Sequence, residues 1–333
     1  MTVAALRAGA DHVVGIDLGG TKVRAGIARR AADAEPLAVI ERATVPGGGR
    51  GLVDQLATLV RELAAVAGTG QPAVDGAPGA RVADGAPGAP GTVAAIGIGG
   101  AGVPDTTAGG FDRAPNLGDL ASFSLADELA FELACPVVIE NDVNVAALGE
   151  LAGGVGREHD CFAFVSVGTG IGMGLVLERR IVRGAGNAAG EIGYLPIGAD
   201  PSEPSSHRRG ALEEVVAGDA LARRYGDAVT AREVFARAEA GDARALASID
   251  EEAKWIAHAI AAVDAVVDPG RYVLGGGIGT RPELLGRIHP WLARLGRGGL
   301  PVTISELGDS APVLGALRLA ADAAPRPHEG VPA

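Results

Sequence analysis

Lysine is nearly missing from this chain: Lys22 and Lys254 are the only two in 333 residues. Arginine carries almost all of the positive charge, and the balance is still acidic, with a net charge of −12 at pH 7. The composition matches a GC-rich coding bias, within which a lysine kept at position 22 is mildly suggestive. A surface of that sign excludes an electrostatic footprint for nucleic acid or for an anionic membrane. Cysteine is scarce too. Cys135 and Cys161 cannot build a disulfide framework, and no Cys-x-x-Cys pair occurs, which fits a reducing, cytoplasmic setting. Aromatic residues make up 3% against 47% hydrophobic, so the core is expected to consist of Ala, Val, Leu and Ile. No apolar run reaches the length of a membrane span; even residues 256–267 are interrupted by His258 and Asp264. Residues 1–10 have no cationic start followed by a long apolar stretch, so no secretory signal is expected.

What is present concentrates in three places. The run Val13-Val14-Gly15-Ile16 leads into Asp17-Leu18-Gly19-Gly20-Thr21-Lys22, and Phe162-Ala163-Phe164-Val165-Ser166-Val167 leads into Gly168-Thr169-Gly170-Ile171-Gly172-Met173-Gly174. Between them, after Val137-Val138-Ile139, stands Glu140-Asn141-Asp142. A strand that ends in a glycine-rich turn can point backbone N–H groups at anionic oxygen, because no Cβ blocks the approach. Two such turns can hold the two ends of a polyphosphate, and a carboxylate such as Asp142 can take the proton of an attacking hydroxyl. The pattern reads as a phosphotransferase. Plainer readings compete with it: Asp142 could simply cap a helix beginning at Val143, and glycines 168–174 could serve only a tight hairpin. A dinucleotide fingerprint at Gly97, Gly99 and Gly102 is rejected, because Pro104 and Gly109-Gly110 stand where its helix should start.

Alternation and β-branching predict strands at 13–16, 23–28 and 37–45. Leu52, Leu56, Leu59, Val60 and Leu63 recur at helical spacing, which predicts an amphipathic helix over 51–66. Residues 68–92 are rich in Gly, Ala and Pro, and Asp-Gly-Ala-Pro-Gly-Ala occurs there at 75–80 and again at 84–89. So few large apolar groups cannot offset ordering entropy, so the segment is expected to be a flexible surface insertion. Beyond it the pattern predicts a strand at 93–98, a glycine-rich loop over 99–118, a helix at 124–133 with Ser122 or Ser124 as cap, and a strand at 137–139. A helix at 144–151 and a β-rich block over 161–195 follow. Helices are expected at 210–225, 230–240 and 242–267, then a strand at 272–274 ending in Gly275-Gly276-Gly277, and a last helix from Ala311-Pro312 to about Ala323. The β-rich-then-helical order occurs twice. An α/β chain of two duplicated lobes with a cleft between them follows, a small lobe of 12–141 plus 311–325 and a larger one of 142–310.

Five motifs in order carry a family likeness: Asp17-Leu-Gly-Gly-Thr-Lys22, Ala114-Pro-Asn-Leu117, Glu140-Asn-Asp142, Gly168-Thr-Gly-Ile-Gly-Met-Gly174 and Ala189-Gly-Glu-Ile-Gly193. Singly each is weak; together, across about residues 13–319, they resemble the ROK family of repressors, open reading frames and sugar kinases. The resemblance implies the actin-like, ribonuclease-H-like two-lobed ATPase fold, usually a homodimer, with sugar and ATP meeting in the interlobe cleft. It implies a glucokinase-like, ATP-dependent kinase acting on a hexose or amino-hexose hydroxyl, O6, with Asp142 as general base. By position, Asn116, Asn141, Glu191 and Glu213 match sugar contacts, with Tyr194 beside them. Asp17, Gly19, Gly20, Thr21 and Lys22 match the first phosphate loop, and Gly168, Thr169 and Gly170 the second. Gly275, Gly276 and Gly277 match the nucleoside side, and Mg²⁺ is expected through Asp17. Backbone donors, one metal ion and one carboxylate base suffice, since phosphoryl transfer is mostly a matter of positioning and electrostatic stabilisation.

Two departures from the pattern stand out. Tyr194 occupies the place where the family has a histidine that contacts the sugar and helps hold zinc. The family's cysteine-rich zinc loop is replaced by Ser205-Ser206-His207-Arg208-Arg209-Gly210-Ala211-Leu212-Glu213. A tetrahedral Cys/His site needs three or four such ligands, so no zinc is expected. Two rivals to an ATP-dependent kinase remain in view. One is a non-catalytic sugar sensor of the kind found in ROK repressors; these carry an N-terminal helix-turn-helix, and with about a dozen residues before the first expected strand and an acidic balance, DNA binding is not expected. The other is a kinase using polyphosphate, which would favour a basic groove.

Overall fold

The computed structural model describes residues 12–31, 35–69, 93–105, 109–112, 124–226 and 229–325. The β-branched start of the chain forms a meander: β1 (His12–Leu18) and β2 (Lys22–Arg29) pair antiparallel with Leu18 opposite Val23, and β3 (Pro36–Ala43) adds to β2. Helix α1 (Gly49–Thr69) buries Leu52, Leu56, Leu59, Val60 and Leu63, the stripe its spacing predicts, and runs three residues past the expected end. From residue 70 the expected insertion lies outside the described residues. Strand β4 (Val93–Gly100) runs parallel to β1. The expected glycine-rich loop contains a short hairpin, β5 (Val103–Asp105) with β6 (Gly110–Asp112). Helix α2 (Leu125–Leu133) starts at Ser124, whose side chain accepts the N–H of Asp127. Strand β7 (Val137–Asn141) and helix α3 (Asp142–Gly153) follow, and the sheet order is β3-β2-β1-β4-β7.

The same topology then repeats. Strands β8 (Phe162–Val167), β9 (Ile171–Leu177) and β10 (Arg180–Ile181) form a second antiparallel meander. Helices α4 (Pro204–Arg209), α5 (Gly218–Tyr225), α6 (Ala231–Glu239) and α7 (Ala243–Val267) precede β11 (Tyr272–Gly275), which runs parallel to β8. The short helix α8 (Gly276–Gly279), α9 (Pro282–Arg294) and β12 (Val302–Ile304) complete a sheet ordered β10-β9-β8-β11-β12. Each sheet is thus three meander strands followed by two parallel ones, which is the expected duplication in explicit form. Each has its own core, one around Ile16, Leu56 and Ile98, the other around Val165, Ile256 and Leu274. Among the described residues no helix is long and apolar enough to cross a membrane.

Three expectations need correction. Residues 210–225 are not one helix: Gly210, at φ 96°, ends α4, and turns occupy 211–217 before α5 begins. Residues 182–195 hold turns and a single 3₁₀ turn, Ile192–Tyr194, in place of strand. Helix α9 and strand β12 were not expected at all.

Helix α10 (Ala311–Ala323) returns to the first sheet. The chain divides into two compact units, one running to Gly153 and resuming at Ser310, the other Gly154–Asp309. The boundary therefore falls after α3, not before it at 141/142. The reason is steric. A Cβ on Gly315 of α10 would lie 1.6 Å from the carbonyl oxygen of Val145 in α3, and one on Gly149 would lie 2.0 Å from that of Ala311. Backbone meets backbone there, so α3 belongs with α10. The strand glycines play a similar part: a Cβ on Gly97 would sit 2.3 Å from the carbonyl oxygen of Ala316, and one on Gly15 would sit 2.4 Å from the nitrogen of Leu317.

Candidate active site

In the first unit the β1–β2 turn is closed by its own backbone: the N–H of Gly19 donates to the carbonyl of Lys22 at 3.0 Å. Thr44 braces it, its hydroxyl donating to the carbonyl of Gly19 at 2.7 Å and its N–H to that of Thr21 at 3.0 Å. Gly20 and Thr21 are exposed and Asp17 is half-buried at the end of β1. A Cβ on Gly19 would lie 2.8 Å from the carbonyl oxygen of Lys22, so the turn requires glycine there. Lys22 opens β2 with its amine 3.5 Å from Glu41, a side chain half exposed.

At the β7–α3 junction the capping falls to Asn141. Its Oδ1 accepts the N–H groups of Val143 at 2.9 Å and Asn144 at 3.1 Å, and its Nδ2 donates to the carbonyl of Gly102 at 3.0 Å. That division of labour matters, because the alternative reading of Asp142 made it the cap. Asp142 is instead the first helical residue, half-buried, with Oδ1 accepting the Val143 N–H at 2.9 Å. Burial pushes its pKa up, opposed by that backbone bond. Buried Glu140 supports the junction, its Oε1 accepting from the Asn141 backbone and from Asn144 Nδ2, each at 3.0 Å. Asn116 lies outside the described residues.

In the second unit the β8–β9 turn has the N–H of Gly168 donating to the carbonyl of Gly170 at 2.9 Å, while the Gly168 carbonyl accepts the N–H of Gly218, at the start of α5, also at 2.9 Å. Glu213 meets this turn from the other side. Its Oε2 accepts the N–H of Ile171 at 3.1 Å, and a Cβ on Gly170 would lie 2.4 Å from that same oxygen. Residue 170 must be glycine for Glu213 to reach the turn. Burial raises the Glu213 pKa, and Arg209 draws it back. Half-buried Glu191 precedes the Ile192–Tyr194 turn, and the Gly193 carbonyl accepts the backbone N–H groups of Leu212 and Glu213, so these segments are joined. Tyr194 is 40% exposed, and its hydroxyl donates to the carbonyl of Arg208 at 3.0 Å. Its one proton is therefore committed to α4.

A pocket of about 740 Å³ opens beside this turn. Gly168, Thr169, Gly218, Phe235, Gly277 and Ile278 are among the residues that line it. Among the described residues Arg223, Arg232 and Arg281 line it together with the carboxylate of Asp219. The Arg281 guanidinium stacks 5.2 Å above the ring of Phe235. Of the expected nucleoside-side glycines, Gly277 lines the pocket and Gly275 and Gly276 do not; Gly276, at φ 78°, must be glycine because a Cβ there would strike the Val167 carbonyl. Sequence reading did not find Gly218, Asp219, Phe235 or Arg281. The only visible signal was the Thr230-x-x-Glu233 capping box that starts α6.

For a metal, Asp17 offers a hard oxygen ligand beside the β1–β2 turn, a donor that suits Mg²⁺ shared with a polyphosphate. Residues 205–213 form most of α4 and the turn that follows it, and contain no cysteine. Among the described residues no group of three or more His, Cys, Asp or Glu side chains is arranged to hold a metal ion.

The sequence model of the ROK family matches residues 80–323. A glucokinase of Halalkalibacterium halodurans is 31% identical over 246 residues, 66% of this chain and 74% of that one. The ROK hexokinase of Thermus thermophilus is 30% identical with a TM-score of 0.75, the match covering 93% of this chain and 97% of that structure. A ROK family glucokinase of Streptomyces griseus, solved in complex with glucose and AMPPNP, is 26% identical with a TM-score of 0.69, covering 93% and 99%. The fold is thus the actin-like, ribonuclease-H-like one.

Proposed function

This chain belongs to the ROK family, and we propose from that premise that it is an ATP-dependent hexose kinase with Asp142 as its general base. The observation that carries the reading is the β8–β9 turn: a glycine turn closed by backbone hydrogen bonds, lining an arginine-rich pocket and met at Ile171 by the Glu213 carboxylate. ATP would lie in that pocket with its phosphates toward Gly168, Thr169 and Gly170. The β1–β2 turn at Gly19, Gly20 and Thr21 would receive the phosphoryl end, and Asp17 would hold Mg²⁺, which neutralises phosphate charge when bound. Asn116, Asn141, Glu191, Glu213 and Tyr194 would orient the sugar. Asp142 takes the proton of the sugar hydroxyl, O6 in this reading, as that oxygen bonds to the γ-phosphorus and the bond to ADP breaks. A homodimer without zinc completes the proposal.

The state of Asp142 gives a pH dependence. The base must be ionised to accept a proton, and burial holds its pKa above the ordinary 3.8. Activity is therefore expected to fall as pH drops through that raised value, and the acid limb of kcat/KM should lie above the ordinary aspartate range. A limb at or below 3.8 would mean that Asp142 does not titrate in catalysis.

Tyr194 bears on which sugar is used. A phenol is bulkier than an imidazole, and its proton is already given to the Arg208 carbonyl. Weak activity on glucose is expected, with better activity on a differently substituted hexose such as an amino sugar. Tyr194→His should shift the preference toward glucose by about 10-fold or more, since hydrogen-bond matching at one hydroxyl discriminates strongly. Kinetics of both proteins on glucose and N-acetylmannosamine decide this, and an unchanged ratio contradicts it.

A further inference from the structure

Arg209 closes α4 and holds two carboxylates at once. Its Nη1 and Nη2 donate to Asp219 at 2.7 and 3.0 Å, while its Nε lies 3.6 Å from Glu213 Oε1. A planar guanidinium can make a two-pronged bond to one carboxylate and still present a third N–H to another. The two partners sit in different surroundings. Glu213 grips the Ile171 N–H at the front of the turn, and Asp219 lines the nucleotide pocket, next to the Gly218 N–H that holds Gly168.

Asp219 does not depend on Arg209 alone, since Arg223 also donates to it. Glu213, with 23% of its side chain exposed, is paired only with Arg209 among the described cations. Removing Arg209 would therefore leave Asp219 satisfied and Glu213 without its counter-charge. Tyr194 reinforces the arrangement by tying the neighbouring carbonyl of Arg208.

We propose that Arg209 is a positioning residue that couples sugar binding to nucleotide binding by tying Glu213 to Asp219, a role that rests on the kinase reading above. Nucleotide phosphates settling against Gly168 and Thr169 fix the turn and the start of α5. Arg209 passes that constraint to Glu213, whose oxygens are then set to receive the sugar.

The test is calorimetric titration of glucose and of N-acetylmannosamine, with and without saturating AMPPNP, into the native protein, Arg209→Gln and Arg209→Lys. In the native protein AMPPNP should tighten binding of the preferred sugar by about five-fold or more, the ordinary range of coupling between sites. In Arg209→Gln that gain should fall below about two-fold, with AMPPNP affinity and melting temperature near native. The sugar KM should rise more than kcat falls. Arg209→Lys, a point charge without the fork, should lie between the two. An undiminished gain in Arg209→Gln overturns the proposal, as does its absence in a native protein that still transfers phosphate. If Arg209→Gln does not fold, a native-sized gain in Arg209→Lys overturns it instead. Failure of the native protein both to bind AMPPNP and to transfer phosphate would remove the kinase reading itself, and the coupling with it.

Discussion

Asp142→Asn is expected to lower turnover by about 10²–10⁴-fold, the usual cost of losing a general base, while sugar affinity stays close to native. The geometry makes the substitution unusually clean. The start of α3 is capped by Asn141, whose Oδ1 takes the N–H groups of Val143 and Asn144, so the helix does not depend on the Asp142 carboxylate. An amide can keep the one hydrogen bond that Asp142 makes, accepting the Val143 N–H. It also removes the cost of keeping a charge in a partly desolvated place, so the melting temperature should not fall. What it cannot do is accept the proton of a hydroxyl. Turnover and sugar affinity measured on the same preparation check this, and near-normal turnover would end the assignment of Asp142 as base.

Gly315→Ala is expected to be the most damaging single-methyl change in the first unit. The added Cβ would fall 1.6 Å from the Val145 carbonyl oxygen and 2.7 Å from the Gly149 nitrogen, so α3 and α10 must separate. Overpacking usually costs about 1–3 kcal/mol when side chains can yield. Here the obstacle is backbone on both sides, which places the cost at or beyond the upper end of that range. Gly286→Ala in α9 is the matched control, since nothing lies within 4 Å of its added Cβ. An exposed helical site of that kind should gain up to about 1 kcal/mol from helix propensity. Denaturant midpoints of the two variants should move in opposite directions. Equal midpoints would mean that α10 does not pack on α3 as described.

The turns and the elements leading into them were legible because each is a local pattern. Val13 to Ile16 and Phe162 to Val167 are β-branched or aromatic runs that stop at glycines, and Leu52, Leu56 and Leu63 mark a helical stripe. Helix α10 was legible for the same reason, a proline at its second position followed by an apolar period. The parts that were not legible are set by distant contacts. Gly15 and Gly97 fall in strands as expected, but only the structure shows why they are glycine: α10 passes over them. The break at Gly210 arises where its backbone meets that of Gly193: a Cβ there would lie 2.1 Å from the Gly193 carbonyl oxygen. Asn141 and Asp142 are adjacent polar residues at a helix start, and only the geometry divides capping from a free carboxylate oxygen. Arg209 and Glu213 stand at i,i+4 spacing, but α4 ends between them at Gly210, so the sequence does not show that Asp219 of α5 completes the network.

The central claim is that this chain moves a phosphoryl group from ATP to a hexose hydroxyl. The most direct measurement is ADP release by the native protein with Mg²⁺-ATP, coupled to an optical readout, across a panel of hexoses and amino sugars. ADP release that depends on one of these sugars, with glucose a weaker substrate than an amino sugar, is the expected result. No sugar-dependent ADP release, together with a sugar that raises the melting temperature, would contradict it and leave a sugar-sensing protein in place of a kinase.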